Sequence, residues 1–324
     1  MDGAVDVQLL RRDHTRLRKL VARVFTVRGI EALRPAVPSI VDALLDELEA
    51  EPPGAVVDLR ARFGYRIPSY VICDLMGVPA ERRAVIAEVM EAVMDTSLAP
   101  GEAAANTEAM VGAMAEPAAH KRENPGEDLT TRLLAIHDED GARLAEHELV
   151  ARLLLLVGAG SETAVSLIDC LTVNLLTHPE ALAKVPAYPA RWADAVEETL
   201  RHDPPIVFLP MRYAVEDIAL PGGGVIAAGE SIVLGFGAHG RDPAVHAAPD
   251  VWDLDRADKD HLAFGHGVHY CVGSPLARLE AEVALTGLFA RFPDLMPAVE
   301  PGELVHQPSF IGYDYASVPV LPRP

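Results

Sequence analysis

Cysteine is scarce in this chain: three in 324 residues, Cys73, Cys170 and Cys271, far apart and odd in number. No Cys-x-x-Cys pair or Cys/His zinc spacing exists, which argues against a disulfide framework and fits a reducing, cytoplasmic compartment. Positive charge is in deficit. Lys and Arg number 28 against 48 Asp and Glu, for a formal net charge of −20. Such a surface repels phosphate, so nucleic acid is not expected as a partner. Long apolar runs are missing as well. The longest strongly apolar uncharged stretch, residues 153–161, is about half of what a membrane span needs. The N-terminal residues, rich in Arg, Asp and His, hold no apolar segment of a signal peptide. No membrane address is therefore expected. No repeat or low-complexity linker divides the chain, and one domain over residues 1–324 is expected.

What is present is helical texture. Half of the residues are hydrophobic and 23% charged, ordinary for a chain with a substantial core. Leu17, Leu20, Val21, Val24 and Phe25 recur at three- and four-residue steps, as do Ile40, Leu44, Leu45 and Leu48, the spacing of one helix face. A further stripe over residues 67–76 stops near Gly77 and Pro79. Residues 98–128, with weaker periodicity, read as mobile helices and loops. A long helix is expected from Glu146 to His178-Pro179, and another over residues 189–201, stopped by Asp203-Pro204-Pro205. Residues 211–215 and 231–234 read as short strands around the turn Pro221-Gly222-Gly223-Gly224. A last strong helix begins at Pro275 and ends near Phe292. The fold class is mainly α with a minor β-sheet part.

The most informative stretch is Phe264-Gly265-His266-Gly267-Val268-His269-Tyr270-Cys271-Val272-Gly273. It matches F-G-x-G-x-H-x-C-x-G at every specified position, and on it the chain resembles the cytochromes P450, whose haem-binding loop has this pattern. The resemblance implies heme b (iron protoporphyrin IX) as cofactor and Cys271 as the metal ligand, with Phe264, Gly265, His269 and Gly273 also at the cofactor. A thiolate ligand pushes electron density onto iron and favours O–O cleavage. The glycines Gly265, Gly267 and Gly273 would let the backbone turn tightly. Backbone N–H groups, with the positive end of the helix starting near Ser274-Pro275, would lower the thiol pKa. Cys73 and Cys170 read as buried and inert.

Ala159-Gly160-Ser161-Glu162-Thr163 on the long helix resembles the family's A-G-x-[ED]-T. A helix threonine can bond back to the carbonyl four residues earlier, here Ala159, and loosen the helix. By resemblance, Ala159 lies at both cofactor and substrate, and Glu162 and Thr163 are catalytic, delivering protons during oxygen activation. Glu198-Thr199-Leu200-Arg201 is ExxR, a carboxylate and a guanidinium on one helix face. Alone, such a pair is commonly a surface ion pair of small value. In the family it is buried and completed by an arginine before the cysteine loop, a role that Arg256 fits, with Trp252 where phenylalanine is usual. His14 and Arg18, one turn apart, resemble the family's HxxxR helix, and together with Arg212 and His269 would meet the haem propionates. The basic run from Arg11 to Lys19 would serve this purpose or dock an acidic redox partner. Taken alone, His14 and Arg18 would be a solvated helix face. Substrate-facing positions follow by resemblance: Ile206, Val207, Leu209, Phe310 and Ile311, all apolar.

Two rival motifs fail. Gly235-Phe236-Gly237-Ala238-His239-Gly240 matches GxGxxG, but Pro243 and Pro249 interrupt the helix that a dinucleotide site requires. His147-Glu148 opens no HExxH, because position 151 is Ala. From Asp13 onward the resemblance to soluble actinomycete members is continuous. At the front it departs: the family places roughly 80 residues before the HxxxR helix, within one large domain. Here twelve precede Asp13, and residues 1–5 resemble none of that region. The expectation is thus an N-terminally truncated cytochrome P450 fold. The resemblance implies a monooxygenase that hydroxylates a hydrophobic small molecule (macrolide-, steroid- or other secondary-metabolite-like). Electrons would come from a ferredoxin and an NAD(P)H-dependent reductase, since no flavin or iron–sulfur motif is present. The alternative is a catalytically impaired haem-binding remnant.

Overall fold

Apolar residues spaced three and four apart close into helices, and the short alternating stretches pair into small sheets. The computed structural model describes residues 7–25, 30, 35–83, 85–86, 99–135, 144–186 and 188–324. Its helices are α1 (Val7–Val24), α2 (Ala36–Glu49), α3 (Arg66–Leu75), α4 (Pro100–Glu123), α5 (Leu129–Ala135), α6 (Glu146–Thr177), α7 (Pro179–Leu182), α8 (Arg191–His202), α9 (Phe236–Gly240) and α10 (Ser274–Arg291). The strands are β1 (Val57–Asp58), β2 (Phe208–Tyr213), β3 (Ile218–Ala219), β4 (Val225–Ile226), β5 (Ser231–Gly235), β6 (Met296–Pro297) and β7 (Pro319–Leu321). The described chain divides into two compact units, Met1–Ile40 with Arg66–Glu162, and Val41–Tyr65 with Thr163–Pro324.

The first unit is helical around an apolar core that includes Ile72, Met76, Met110, Met114, Leu129, Leu133, Leu149 and Leu153. Here the structure corrects one expectation. Residues 100–123, expected as loops and mobile helices, form a single 24-residue helix, α4, with Pro117 inside it. Its buried line is Met110, Met114 and Ala118, four residues apart and mostly small or flexible, which is why the periodicity was faint in a segment of Ala and Glu. The Thr130 hydroxyl donates to the Met76 carbonyl at 2.8 Å and joins the start of α5 to the end of α3. Arg16 on α1 pairs with Glu148 on α6, so one member of the early basic run is held within the unit. The side chains of Arg11 and Arg12 lie outside the described residues, as do residues 1–5 and 98.

In the second unit, β1, β7 and β6 form an antiparallel sheet in which Val320 faces Val57 on one side and Pro297 on the other. A five-residue π-helix, Arg60–Gly64, follows β1. Buried Arg60 there gives Nη1 to Asp169 of α6 at 2.9 Å and also pairs with Asp314. Burial and the neighbouring Asp314 charge push the Asp169 carboxyl well above its ordinary range despite Arg60. Trp192 of α8 stacks on Phe289 of α10 at 6.1 Å. Strands β2 and β5 pair antiparallel, with a bulge between Leu209 and Arg212, and Met211 within it takes φ 62°. The Gly223-Gly224 turn closes the smaller β3–β4 hairpin between them. The rejected GxGxxG motif is the five-residue α9 followed by turns, too short to open a nucleotide-binding unit. Helix α6 is long and apolar enough to cross a membrane by length and composition, but 61% of that window is buried inside the protein, as in a core helix.

Met114→Ala, which empties a 1% exposed site on α4, lowers the unfolding free energy by about 2–5 kcal/mol. Val111→Ala on the same helix, 40% exposed, stays within about 0.5 kcal/mol. Urea titration followed by circular dichroism measures both.

Candidate functional site

The site is built on a buried ion pair in the second unit. Glu198 and Arg201 on α8 are both 0% exposed and bind through two contacts, Arg201 Nη2 to Oε1 at 2.7 Å and Nε to Oε2 at 2.9 Å. Arg256 adds Nε to Glu198 Oε1 at 3.1 Å, and the Asp253 N–H donates to the same oxygen at 2.8 Å. The remaining donors go to backbone. Arg201 reaches the carbonyls of Gly240, Pro249 and Val251 at 2.6–2.9 Å, and Arg256 those of Ala247, Ala248 and Val251 at 2.7–3.0 Å. Ala248 takes φ 45°, a strained position. A Cβ on Gly240 would stand 2.0 Å from the Arg201 carbonyl oxygen, so only glycine fits there. The Trp252 indole donates to the Thr199 hydroxyl at 3.0 Å, which gives the tryptophan a partner and leaves Arg256 in place. Burial would raise the Glu198 carboxyl, but the hydrogen bonds from Arg201, Asp253 and Arg256 hold it below its ordinary range.

The cysteine loop follows this segment. Gly265 and Gly267 take φ +70° and +65°, the left-handed region that side chains other than glycine rarely adopt. The Cys271 N–H donates to the Phe264 carbonyl at 2.8 Å, and the Gly265 N–H to Leu262. Gly273 differs from expectation: its φ is −82°, open to any residue, and a Cβ there would meet Cys271 Sγ at an ordinary 3.7 Å. Helix α10 begins at Ser274, three residues after the half-buried cysteine, so its N-terminal end lies next to the thiol in sequence. His269 closes a short 3-10 turn and is exposed.

Other expected residues of this unit gather near one another. The Val207 N–H donates to the Ile311 carbonyl at 2.9 Å, Ile206 bridges Gly312, and Phe208 stacks on Phe310 at 5.4 Å. Phe310 stays 64% exposed, and half-buried Leu209 of β2 pairs with Leu234 of β5. Arg212, just after the bulge, donates to the Met211 carbonyl at 3.2 Å and pairs with no carboxylate among the described residues. Thr163 is half-buried on α6. In the first unit, Ala159 is exposed and Glu162 half-buried on the same helix, while the Ser161 hydroxyl donates to the Val157 carbonyl at 2.9 Å. That back-bond loosens α6 in the turn of the motif. His14 and Arg18 are half-buried on α1.

Sequence reasoning missed a second network beside the first. Glu197 accepts from Arg278 and His261, and the Arg278 guanidinium lies over the Phe264 ring. Burial would raise the Glu197 carboxyl, yet the His261 and Arg278 hydrogen bonds outweigh it and hold it at about 2. The available signal was only the doubled glutamate before the ExxR helix end.

The donor set fits haem. Among the described residues no group of three or more His, Cys, Asp or Glu converges, so an iron bound at Cys271 would bring its other ligands with it, as a porphyrin does. The guanidinium of Arg212, without a carboxylate partner among the described residues, suits a propionate. Exposed Val268, Phe208 and Phe310 suit apolar contacts.

A family model described as Cytochrome P450 matches residues 193–311. A 2-hydroxy-5-methyl-1-naphthoate 7-hydroxylase of Streptomyces carzinostaticus is 42% identical over 309 residues, 95% of this chain and 75% of that protein. A vitamin D(3) 25-hydroxylase of Pseudonocardia autotrophica is 41% identical over 312 residues, 96% of this chain and 76% of that one. The solved structure of CYP154A1 from Streptomyces coelicolor A3(2) matches with a TM-score of 0.87 at 46% identity, over 95% of this chain and 78% of that one.

Truncating Arg201 to alanine leaves Glu198 buried without its bidentate partner, and the expected loss is about 3–5 kcal/mol, read from the denaturant midpoint. Acid acts on the same region. Because Glu197 and Glu198 lie below the ordinary glutamate value of 4.5, the unfolded chain takes up protons first as pH falls. Their stabilisation is complete above about pH 4.5 and is lost as pH drops toward 2. Stability measured from pH 6 to pH 3 should decline, and Glu197→Gln should make that decline shallower; an unchanged slope in the variant would contradict this assignment.

Proposed function

Since the chain belongs to the cytochrome P450 family and is a P450 monooxygenase with heme b as cofactor, we propose that it hydroxylates a hydrophobic small molecule of the macrolide, steroid or other secondary-metabolite kind. The observation that carries this reading is the cysteine loop, with two glycines at positive φ and the Cys271 N–H bonded to the Phe264 carbonyl. Electrons come from a separate ferredoxin and an NAD(P)H-dependent reductase, in a cytoplasmic setting. The relatives hydroxylate a naphthoate and vitamin D(3), by their names, which supports a bulky apolar substrate.

Thiolate-ligated haem supplies O–O cleavage and transfer of one oxygen atom to a C–H bond. The residues do the rest. Cys271 would hold the iron, with the N-terminal end of α10 following it in sequence. Arg212, His269, His14 and Arg18 give the propionates their cationic or donor partners. The Glu162 carboxyl and the Thr163 hydroxyl hold and pass protons, with Ala159 and the loosened turn of α6 leaving room for small ligands. Ile206, Val207, Leu209, Phe310 and Ile311 face the substrate and exclude water. The pocket wall they make has few polar anchors, so shape more than hydrogen bonding selects the substrate.

The test is the carbon-monoxide difference spectrum of the reduced, haem-supplemented chain. A thiolate-type band is expected, and Cys271→Ser should abolish it while Cys73→Ser and Cys170→Ser retain it. Absence of that band in the unaltered chain would point to a remnant unable to hold ligated haem.

A further inference from the structure

Glu197 and Glu198 are neighbours on α8, yet they serve different networks. The Glu197 carboxylate accepts Nε and Nη2 of Arg278 at 2.5 and 3.0 Å, and Nε2 of His261 at 3.1 Å. Arg278 sits on α10, downstream of Cys271 on the helix that the loop enters. Its guanidinium carbon stands 4.5 Å from the centroid of the Phe264 ring. The same ring has His261 at 5.9 Å and Tyr270 at 6.4 Å. One carboxylate therefore gathers a residue ahead of the loop, the loop's first aromatic and the helix behind it.

The geometry restricts motion in sequence. A planar guanidinium with two donors on one carboxylate cannot rotate freely, so its face is fixed against the aromatic ring. The ring belongs to the residue whose carbonyl accepts the Cys271 N–H at 2.8 Å. Outer partners of this kind orient a metal ligand and set how strongly it donates.

We infer that Glu197 is a positioning residue for the iron ligand: through Arg278 it locks the Phe264 ring, and with it the hydrogen-bonded backbone that orients Cys271. The inference rests on the haem-thiolate reading above, and its test separates the two. Glu197→Gln removes the charge. Arg278→Lys keeps the charge but loses the fork and the plane. Phe264→Leu removes the ring. In the haem-loaded chain, Glu197→Gln and Arg278→Lys are each expected to shift the one-electron reduction equilibrium by about tenfold, about 59 mV. Combined with Phe264→Leu, neither should add a further shift. If Arg278→Lys leaves the potential unchanged, or if Glu197→Gln shifts it equally with and without the ring, Glu197 acts only as a distant charge and the inference is overturned.

A second measurement needs no haem. Amide hydrogen exchange across residues 264–271 in the chain without cofactor should accelerate in both single variants, and Arg191→Lys, which alters an ion pair with Asp255, should leave it unchanged. Failure of the unaltered chain to bind haem would sink the functional reading while this exchange still decides the positioning role. Exchange equal to that of the unaltered chain would sink the positioning role itself.

Discussion

The chain around the site depends on two charges that water cannot reach. Glu198 and Arg201 are both fully buried, and removing either from water costs several kcal/mol unless every polar atom finds a partner. The fold meets that demand by bending the backbone around them. Carbonyls from residues 240–251 turn inward to the two arginines, Ala248 accepts a strained φ to do so, and Gly240 lets the chain pass directly over the helix. The strand-poor stretch between α9 and the cysteine loop has little secondary structure of its own. Its shape is that of a shell around a guanidinium, and the loop carrying Cys271 is hung from its end.

Adjacent glutamates on one helix turn divide two tasks. Glu198 holds the shell. Glu197 reaches the loop side, to Arg278 and His261. Other buried carboxyls shift the opposite way: burial pushes Glu280 on α10 up to about 8, and burial with the neighbouring Asp314 charge raises Asp169 despite Arg60. The direction of each shift follows from the balance between burial, like charges nearby and the donors that reach the carboxylate.

The strongest local signals were legible in the residues. The long helix α6 runs over Glu146–Thr177 where its apolar spacing placed it, and α8 and α10 begin and end within two residues of expectation. The glycines at 265 and 267 have the left-handed backbone that their pattern implied. Helix α4 was legible as helical texture but not as one continuous helix, because its buried side is a thin line of Met110, Met114 and Ala118, and small residues carry little hydrophobic contrast. The role of Gly273 was overread, since its backbone is ordinary.

By itself the sequence determined what is local or chemical: the thiol at position 271, the glycine turns before it, the helix after it, and the pairing of a carboxylate with a guanidinium one turn apart at 198 and 201. Those follow from backbone sterics and from helix spacing, which act over a few residues. Only the tertiary structure decided which charges meet across long stretches of chain. Trp252 on Thr199, Arg60 between Asp169 and Asp314, and Glu197 against Arg278 all join residues more than fifty apart, and the contact of Arg256 with Glu198 was expected only through the family resemblance. No short-range pattern records such meetings, because they are selected by the requirement that every charge removed from water be matched by a partner the fold brings to it.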